Sequence, residues 1–178
     1  MTPRNPTVCG NVAAAEQGRL TMMLGATRDE LVPALPAIEA VSDQEFFLGT
    51  VGAGAAVKLA NNVFSILNTF AVYEAFRLAD AYGLGHAELI AVCQASSGSS
   101  KALINFEKFD WSMREHTLAD SAEIYHLVSK DLEMASAAAR HAGVELAYVD
   151  VATAMTPSLL ERRRRELGLD LIGAPDDA

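Results

Sequence analysis

Apolar residues recur at steps of three and four along most of this chain, and that spacing predicts a mainly helical protein. The longest stretch of this kind runs from about Ala55 to Tyr82 and is followed by Gly83 and Gly85, which suit a helix end. A helix of that length extends about 40 Å. We therefore expect shorter helices to pack against it, and the pattern places them at about 86–96, 101–106, 119–142 and 146–167.

The N-terminal part of the chain follows a different pattern. Short apolar runs at Leu20–Leu24 and Glu45–Leu48 predict two β-strands. Between them, Thr27 and Glu30 have the spacing of a capping box and predict a helix that continues to about Val41, with Pro33 and Pro36 limiting its regularity. A strand, a helix and a strand in this order belong to an α/β layer. Two strands are too few for a stable sheet, so we expect only part of such a layer.

These patterns divide the chain into three parts. Residues 1–51 are predicted to form the incomplete α/β layer. Residues 52–168 are predicted to form an all-helical domain built on the long helix. Residues 169–178 are predicted to be a flexible tail. Between the helices, Phe109–Ser112 is expected to be a loop with aromatic anchors.

Composition narrows the classes of function. The net charge of −9 argues against a nucleic-acid partner, which requires a basic surface. No apolar leader opens the chain and we find no run of about 18 apolar residues, so we expect a cytoplasmic protein without a membrane span. Cys9 and Cys93 suggest neither a disulfide framework nor a metal site. The four histidines are scattered without metal-ligand spacing, so no metal is expected.

One set of four polar residues stands out on the long helix. Lys58, Asn61, Asn62 and Ser65 lie at positions i, i+3, i+4 and i+7, so they share a helix face. On spacing alone, a solvated stripe is the favoured interpretation. The alternative is a functional lysine, whose apolar surroundings allow proton exchange near neutral pH, with an asparagine that orients its partner.

Three other features carry weaker signals. The run Arg162–Arg165 is compatible with a phosphate contact, but a solvated last helical turn is favoured because cations suit that helix end. The segment Ser96–Ser100 either lines a substrate entrance or joins two helices. Cys9 as a reactive thiol is disfavoured, because no base lies near it in sequence.

The segment Gly52-x-Gly54-x-x-x-Lys58-x-x-Asn61-Asn62 resembles the start of the interdomain helix in the β-hydroxyacid dehydrogenases. This family includes 3-hydroxyisobutyrate dehydrogenase, tartronate semialdehyde reductase and 6-phosphogluconate dehydrogenase. The likeness is collinear over about residues 7–150, and its further motifs are the segment 8–25, the pair Glu74-Ala75 and the triplet Lys130-Asp131-Leu132. Four ordered motifs are more specific than one, and they favour the functional interpretation of Lys58.

The resemblance implies roles for particular residues. Lys58 is expected to be the general acid/base at the substrate hydroxyl, with Asn62 and its neighbour Asn61 binding the substrate. The segment Cys9-Gly10-Asn11 is expected to hold the substrate carboxylate, and Lys130 and Asp131 to close the site near the cofactor. The implied reaction is hydride transfer between NAD or NADP and a small hydroxy acid. The resemblance also implies that residues 1–51 are the remnant of a dinucleotide-binding α/β domain and that residues 52–168 are the substrate and dimerisation domain. Relatives also pack such helices across subunits, so a homodimer or higher oligomer is expected.

Three departures from the family pattern qualify these expectations. Relatives carry Ser-Gly-Gly where this chain has Cys9-Gly10-Asn11, which leaves the substrate preference open. Ser65 replaces the glutamate that 6-phosphogluconate dehydrogenases use as a second acid, which argues against oxidative decarboxylation. The dinucleotide fingerprint Gly-x-Gly-x-x-Gly is not found. We therefore expect the chain alone to be inactive, and a non-catalytic helical oligomerisation module is the alternative.

Overall fold

The computed structural model describes residues 7–10, 12–106, 118–166 and 168. The chain divides into two compact units, Met1–Asn61 and Asn62–Ala178, and the division falls inside the long helix. The predicted loop Phe109–Ser112 and the predicted tail after Gly168 lie outside the described residues.

The first unit contains a three-stranded sheet in the order β1 (Thr7–Cys9), β2 (Leu20–Leu24) and β3 (Ser42–Phe47). β1 runs antiparallel to β2, whereas β2 and β3 are parallel. The two predicted strands are confirmed, the second with an earlier start and an earlier end. The sequence did not reveal β1, because three residues are too few for an alternating pattern, nor the short helix α1 (Val12–Glu16) that follows it.

The connection between the parallel strands is helical, as is usual for a parallel pair, but the two prolines divide the predicted helix instead of only limiting its regularity. A 3-10 helix (Asp29–Ala34) contains Pro33, and α2 (Leu35–Glu39) starts anew with Pro36 in its first turn. Proline lacks the backbone donor that a continuous helix needs, so the helix is divided here. The capping box is present: Glu30 Oε2 accepts from the backbone N–H of Thr27 at 2.9 Å.

The second unit is helical. It comprises most of α3 (Ala53–Ala81), followed by α4 (His86–Gln94), α5 (Lys101–Ile104), α6 (Leu118–His141) and α7 (Ala147–Glu166). The predicted helices are therefore all found, with bounds shifted by a few residues. Gly83 and Gly143 have φ of +68° and +70° and end α3 and α6. In both cases the following residue donates back to the last turn, Leu84 to Ala79 and Val144 to Ala139.

Each unit has its own apolar core. In the first, Met22 and Leu24 of β2 pack with Ile38 of α2. In the second, α3, α5, α6 and α7 or their flanks contribute buried side chains around Leu132, which is fully buried, and α4 packs half-buried side chains against them. The members of this larger core are Phe70, Val72, Tyr73, Phe76, Leu103, Phe106, Leu132, Ala135, Val149, Ala152, Leu159 and Leu160.

The arginine run at the end of α7 is not simply solvated, so the favoured interpretation of it is wrong for two of its members. The guanidinium of Arg163 lies 5.3 Å from the ring centres of both Tyr73 and Phe106. Arg164 exposes only 2% of its surface. Arginine can stack on aromatic faces and pack its stem against apolar groups, and the sequence pattern gave no sign of these rings.

By length and composition, α3 is apolar enough to cross a membrane, contrary to the expectation that no such segment exists. Its alanine, valine and phenylalanine residues raise the mean hydropathy even though polar residues interrupt the run. The inward face of the helix, however, carries Val72, Tyr73 and Phe76 of the second core. The absence of a membrane partner stays a prediction.

Candidate functional site

The two glycines of the signature meet different requirements at the start of α3. Gly52 has φ of +90°, a conformation that other residues rarely adopt. At Gly54 the limit is space, since a Cβ there would lie 2.4 Å from the carbonyl oxygen of Met23. The hydroxyl of Thr7 donates to the Gly54 carbonyl at 2.9 Å. The helix start is thereby fixed against β1 and β2, and this fixes the backbone from which Lys58 projects one turn later.

The first unit brings together part of the predicted substrate segment and α3. The side-chain amide of Asn61 donates to Cys9 Sγ over 3.9 Å, a weak contact between residues 52 positions apart. Gly10 has φ of +151°, and a Cβ there would meet the side chain of Leu20 at 2.7 Å. Lys58, in the same unit, is half-buried. Asn11 lies outside the described residues.

The second unit brings together the other predicted residues. The side-chain amide of Asn62 donates to Asp131 Oδ2 at 2.7 Å. The other oxygen of the same carboxylate, Oδ1, lies 3.1 Å from Lys130 Nζ. Asp131 exposes 14% of its side chain and Lys130 exposes 56%. One carboxylate therefore connects an amide on α3 with an ammonium on α6.

The polar face of α3 is uneven, which bears on the two interpretations of it. Lys58 and Asn62 are half-buried, whereas Asn61 and Ser65 are exposed. A uniformly solvated stripe would expose all four side chains. The resemblance gives catalytic and substrate-binding roles to this half-buried pair, and a substrate-binding role also to the exposed Asn61.

The residues assigned to the cofactor fit that role unequally. Lys130 leaves more than half of its side chain exposed, so its ammonium can donate to a bound group. Both oxygens of Asp131 already accept from protein groups. Lys130 can therefore contact the cofactor directly, whereas Asp131 is already used in contacts within the protein.

A cavity of about 300 Å³ lies between the end of α6 and the start of α7, and the sequence did not predict it. Its lining includes Ser136, Arg140, Glu145 and Asp150, and the buried hydroxyl of Ser136 donates to Asp150 at 2.9 Å. None of the predicted site residues lines this cavity. It is therefore a separate feature of the helical unit, and no motif in the sequence marked it.

His86 has two local partners, and the two cysteines form no disulfide. The ring of His86 stacks on Phe76 at 4.2 Å, and its Nε2 lies 2.8 Å from Asp80 Oδ1. Cys9 and Cys93 are free thiols. Among the residues that the structure describes, no three His, Cys, Asp or Glu side chains converge in a way that would hold a metal ion.

A family match and the relatives of similar sequence both point to oxidoreductases of one family. Residues 52–170 match the family described as the NAD-binding domain of NADP-dependent 3-hydroxyisobutyrate dehydrogenase. The chain is 32% identical over 143 residues to an uncharacterised oxidoreductase of Synechocystis, covering 79% of this chain and 48% of that protein. It is 31% identical over 136 residues to the NAD-dependent L-serine dehydrogenase of Pseudomonas aeruginosa, covering 75% of this chain and 46% of the relative.

Solved structures agree with these relatives. The 3-hydroxyisobutyrate dehydrogenase of Mycobacterium tuberculosis, solved with L-serine, superposes with a TM-score of 0.69 and 25% identity, covering 86% of this chain and 54% of that one. This chain thus spans about half the length of the proteins it matches. The cofactor class that the family implies is NAD or NADP. The matched domain, the collinear motifs and the shared fold identify the chain as a member of the 3-hydroxyisobutyrate dehydrogenase family of β-hydroxyacid dehydrogenases.

Proposed function

We propose that this chain is the substrate side of an NAD(P)-dependent dehydrogenase that acts on a small hydroxy acid. The observation that carries the proposal is the ordered amide of Asn62, which Asp131 holds at 2.7 Å one helical turn after Lys58. An amide held in one orientation, close in sequence to a half-buried lysine, suits the recognition of a hydroxyl group and the transfer of its proton. A relative in Pseudomonas aeruginosa is named for L-serine, and a structural neighbour was solved with it.

The proposed division of labour follows from the chemistry of each group. A bound nicotinamide supplies the hydride acceptor or donor. Lys58 takes the proton of the substrate hydroxyl during oxidation and returns it during reduction. Asn62 hydrogen-bonds that hydroxyl and keeps it in line with the lysine. Lys130 donates to the cofactor from the neighbouring helix.

The carboxylate of the substrate is assigned to the segment Cys9-Gly10-Asn11. A Cβ at Gly10 would meet the side chain of Leu20, so the close approach of this segment to β2 requires a glycine. The thiol of Cys9 is a weaker donor than the serine hydroxyl of relatives. We therefore propose a carboxylate contact that depends mainly on backbone N–H groups, and a substrate preference that differs from relatives with serine.

Three finer points belong to the same proposal. The 178-residue sequence contains no Gly-x-Gly-x-x-Gly fingerprint, so we propose that this chain alone does not turn over NAD(P)H. NAD and NADP are both retained as cofactors, because the acidic or basic residue that selects between them accompanies that fingerprint. The proposed location is the cytoplasm.

A second candidate, an oligomerisation module, is favoured by the outward face of α3. Phe64, Leu78 and Tyr82 expose 70%, 62% and 77% of their surfaces. With exposed Ala71 and Ala75 between them, they recur at steps of three, four and seven, which places them along one stripe of the helix. Exposed apolar stripes of this kind usually mark an interface, and we propose a homodimer or higher oligomer.

A titration of the isotopically labelled chain tests the substrate proposal. L-serine is expected to shift the NMR signals of the Asn62 side-chain amide and of the backbone around Lys58. L-alanine, which lacks only the hydroxyl, is expected to shift the Asn62 signals less. Equal responses to the two amino acids would contradict recognition of a hydroxyl, and no response to either would contradict a substrate site in this chain.

A further inference from the structure

Thr7 bonds to the first turn of α3 through its side chain. Its hydroxyl lies 2.9 Å from the Gly54 carbonyl oxygen and 3.3 Å from that of Met23, so its proton is directed mainly at Gly54. In an α-helix the carbonyl of residue i accepts from the N–H of residue i+4. The Gly54 carbonyl therefore also accepts from the backbone of Lys58, and a carbonyl oxygen has a lone pair for each of these two donors. One oxygen thus connects Thr7 with Lys58.

The start of α3 meets the strand pair at two points on the same helix face. At Gly54, the direction that a side chain would take leads to the carbonyl of Met23, which pairs with Thr7. About two turns later, the side-chain amide of Asn61 donates to Cys9 Sγ over 3.9 Å. Thr7 and Cys9 are two positions apart in β1, so their side chains leave the same face of the strand. The first two turns of α3 therefore lie against that face.

Lys58 lies between these two contacts on the helix. It follows Gly54 by four residues and precedes Asn61 by three, so the three residues share one face of α3. That face meets Thr7 and Cys9, and Lys58 is half-buried there. All these residues belong to the first unit. The contact of Asn61 is long and weak, so the bond of Thr7 is the stronger of the two.

From this geometry we propose that Thr7 is a positioning residue, whose hydroxyl holds Lys58 in line with the substrate that Cys9-Gly10-Asn11 binds. That segment begins two residues after Thr7, and Lys58 stands one helical turn after the carbonyl that Thr7 contacts. The hydroxyl thereby sets the distance between the group that holds the substrate and the group that takes its proton. The proposal rests on the proposed function, since it takes Lys58 as the acid/base.

Three variants separate this role from a purely structural one. Thr7→Val keeps the shape of the side chain and its preference for a strand, and it removes the hydroxyl. Thr7→Ser keeps the hydroxyl on a smaller side chain. Thr50→Val makes the same change at an exposed position in the segment that leads into α3, and it is the matched control.

NMR of the chain without ligand gives the first readout. In Thr7→Val the Gly54 carbonyl carbon is expected to move upfield, because one of its two donors is lost. The Lys58 amide proton is expected to exchange faster with water, because the first turn is held less firmly. Thr7→Ser is expected to restore both signals, and Thr50→Val to leave both unchanged. Unchanged signals in Thr7→Val would overturn the proposal. A Thr7→Val chain that does not fold would overturn it as well, because the hydroxyl would then serve the fold as a whole.

Turnover gives the second readout, in a version of the chain joined to the dinucleotide-binding part present in relatives. Thr7→Val is expected to lower kcat about tenfold, since a displaced acid/base loses part of its rate of proton transfer. KM for the hydroxy acid is expected to stay nearly unchanged, and Thr7→Ser is expected to restore kcat. In a Lys58→Met background, Thr7→Val is expected to lower kcat no further, because it acts through the lysine.

The proposed function and the role of Thr7 fail in different ways in these kinetics. An unchanged kcat in Lys58→Met would overturn the acid/base role and the role of Thr7 with it. If Lys58→Met loses turnover and Thr7→Val does not, the acid/base role stands and the role of Thr7 is overturned. A loss that Thr7→Ser does not restore, or that recurs in full in the Lys58→Met background, would also overturn the role of Thr7.

Discussion

Asn62 on α3 and Asp131 on α6 lie 69 residues apart in sequence, and their side chains form a 2.7 Å hydrogen bond. Asp131 is mostly buried, exposing 14% of its side chain. A buried carboxylate that loses its donor retains the cost of its desolvation. The pair is therefore both a feature of the proposed substrate site and a contact between two helices.

We expect Asn62→Ala to lower the free energy of unfolding by about 1–3 kcal/mol, the cost of leaving a buried polar group without its partner. Urea denaturation measures this change. Asn68→Ala, at an exposed position of the same helix, is the control and is expected to lie within about 0.5 kcal/mol of the parent chain. Equal effects of the two substitutions would show that the bond to Asp131 adds no stability.

Gly54→Ala is expected to destabilise the first unit. The added Cβ would lie 2.4 Å from the Met23 carbonyl oxygen, which belongs to the backbone and cannot rotate away. Overpacking of this kind costs about 1–3 kcal/mol. Ala55→Ser, at the exposed neighbouring position, controls for a change in the first turn of α3. A Gly54→Ala chain with unaltered urea denaturation would mean that the helix start is not held against β2.

Arg163→Ala is expected to destabilise the helical unit more than Arg165→Ala does. Arg163 lies over Tyr73 and Phe106, whereas Arg165 exposes 63% of its side chain. Loss of the two ring contacts and of the packed stem is expected to cost about 1–2 kcal/mol. Thermal or urea unfolding of both variants measures the difference. Equal losses of stability in the two variants would show that the two arginines have equivalent surroundings.

Light scattering at micromolar concentration is expected to give at least twice the chain mass of 19.0 kDa. Leu78→Glu, in the middle of the exposed stripe of α3, is expected to reduce the assembly to a monomer because it places a charge in an apolar contact. Val92→Glu, an exposed aliphatic position on α4, is the control. A monomeric parent chain would rule out the oligomer, and an assembly that survives Leu78→Glu would place the interface elsewhere.

The sequence predicted the elements that depend on local signals. The bounds of α3, the glycine ends at Gly83 and Gly143, and the capping box at Thr27 all follow from residues within one or two turns. Strand β1 was missed because it is only three residues long, and the helix before β3 was predicted as one because the effect of two prolines was underestimated.

The contacts that define the candidate site could not be predicted in the same way. The pairing of Asn62 with Asp131 and the stacking of Arg163 on Tyr73 join residues that are distant in sequence. Periodicity tells which face a residue occupies, but not which residue from another helix will meet it. The family resemblance named Asn62 and Asp131 as site residues, and the structure shows that they bind each other.

The substitution Lys58→Met tests the central claim most directly. It is made in a version of the protein that carries the dinucleotide-binding part present in relatives, and turnover of NAD(P)H with a hydroxy acid is measured. Since proton transfer by a placed side chain contributes about 10²–10⁴-fold, kcat is expected to fall at least about 100-fold, while the affinity for the cofactor is retained. The control is Lys101→Met, at an exposed position, which is expected to leave kcat unchanged. An unchanged kcat in Lys58→Met would show that Lys58 is not the acid/base of the reaction.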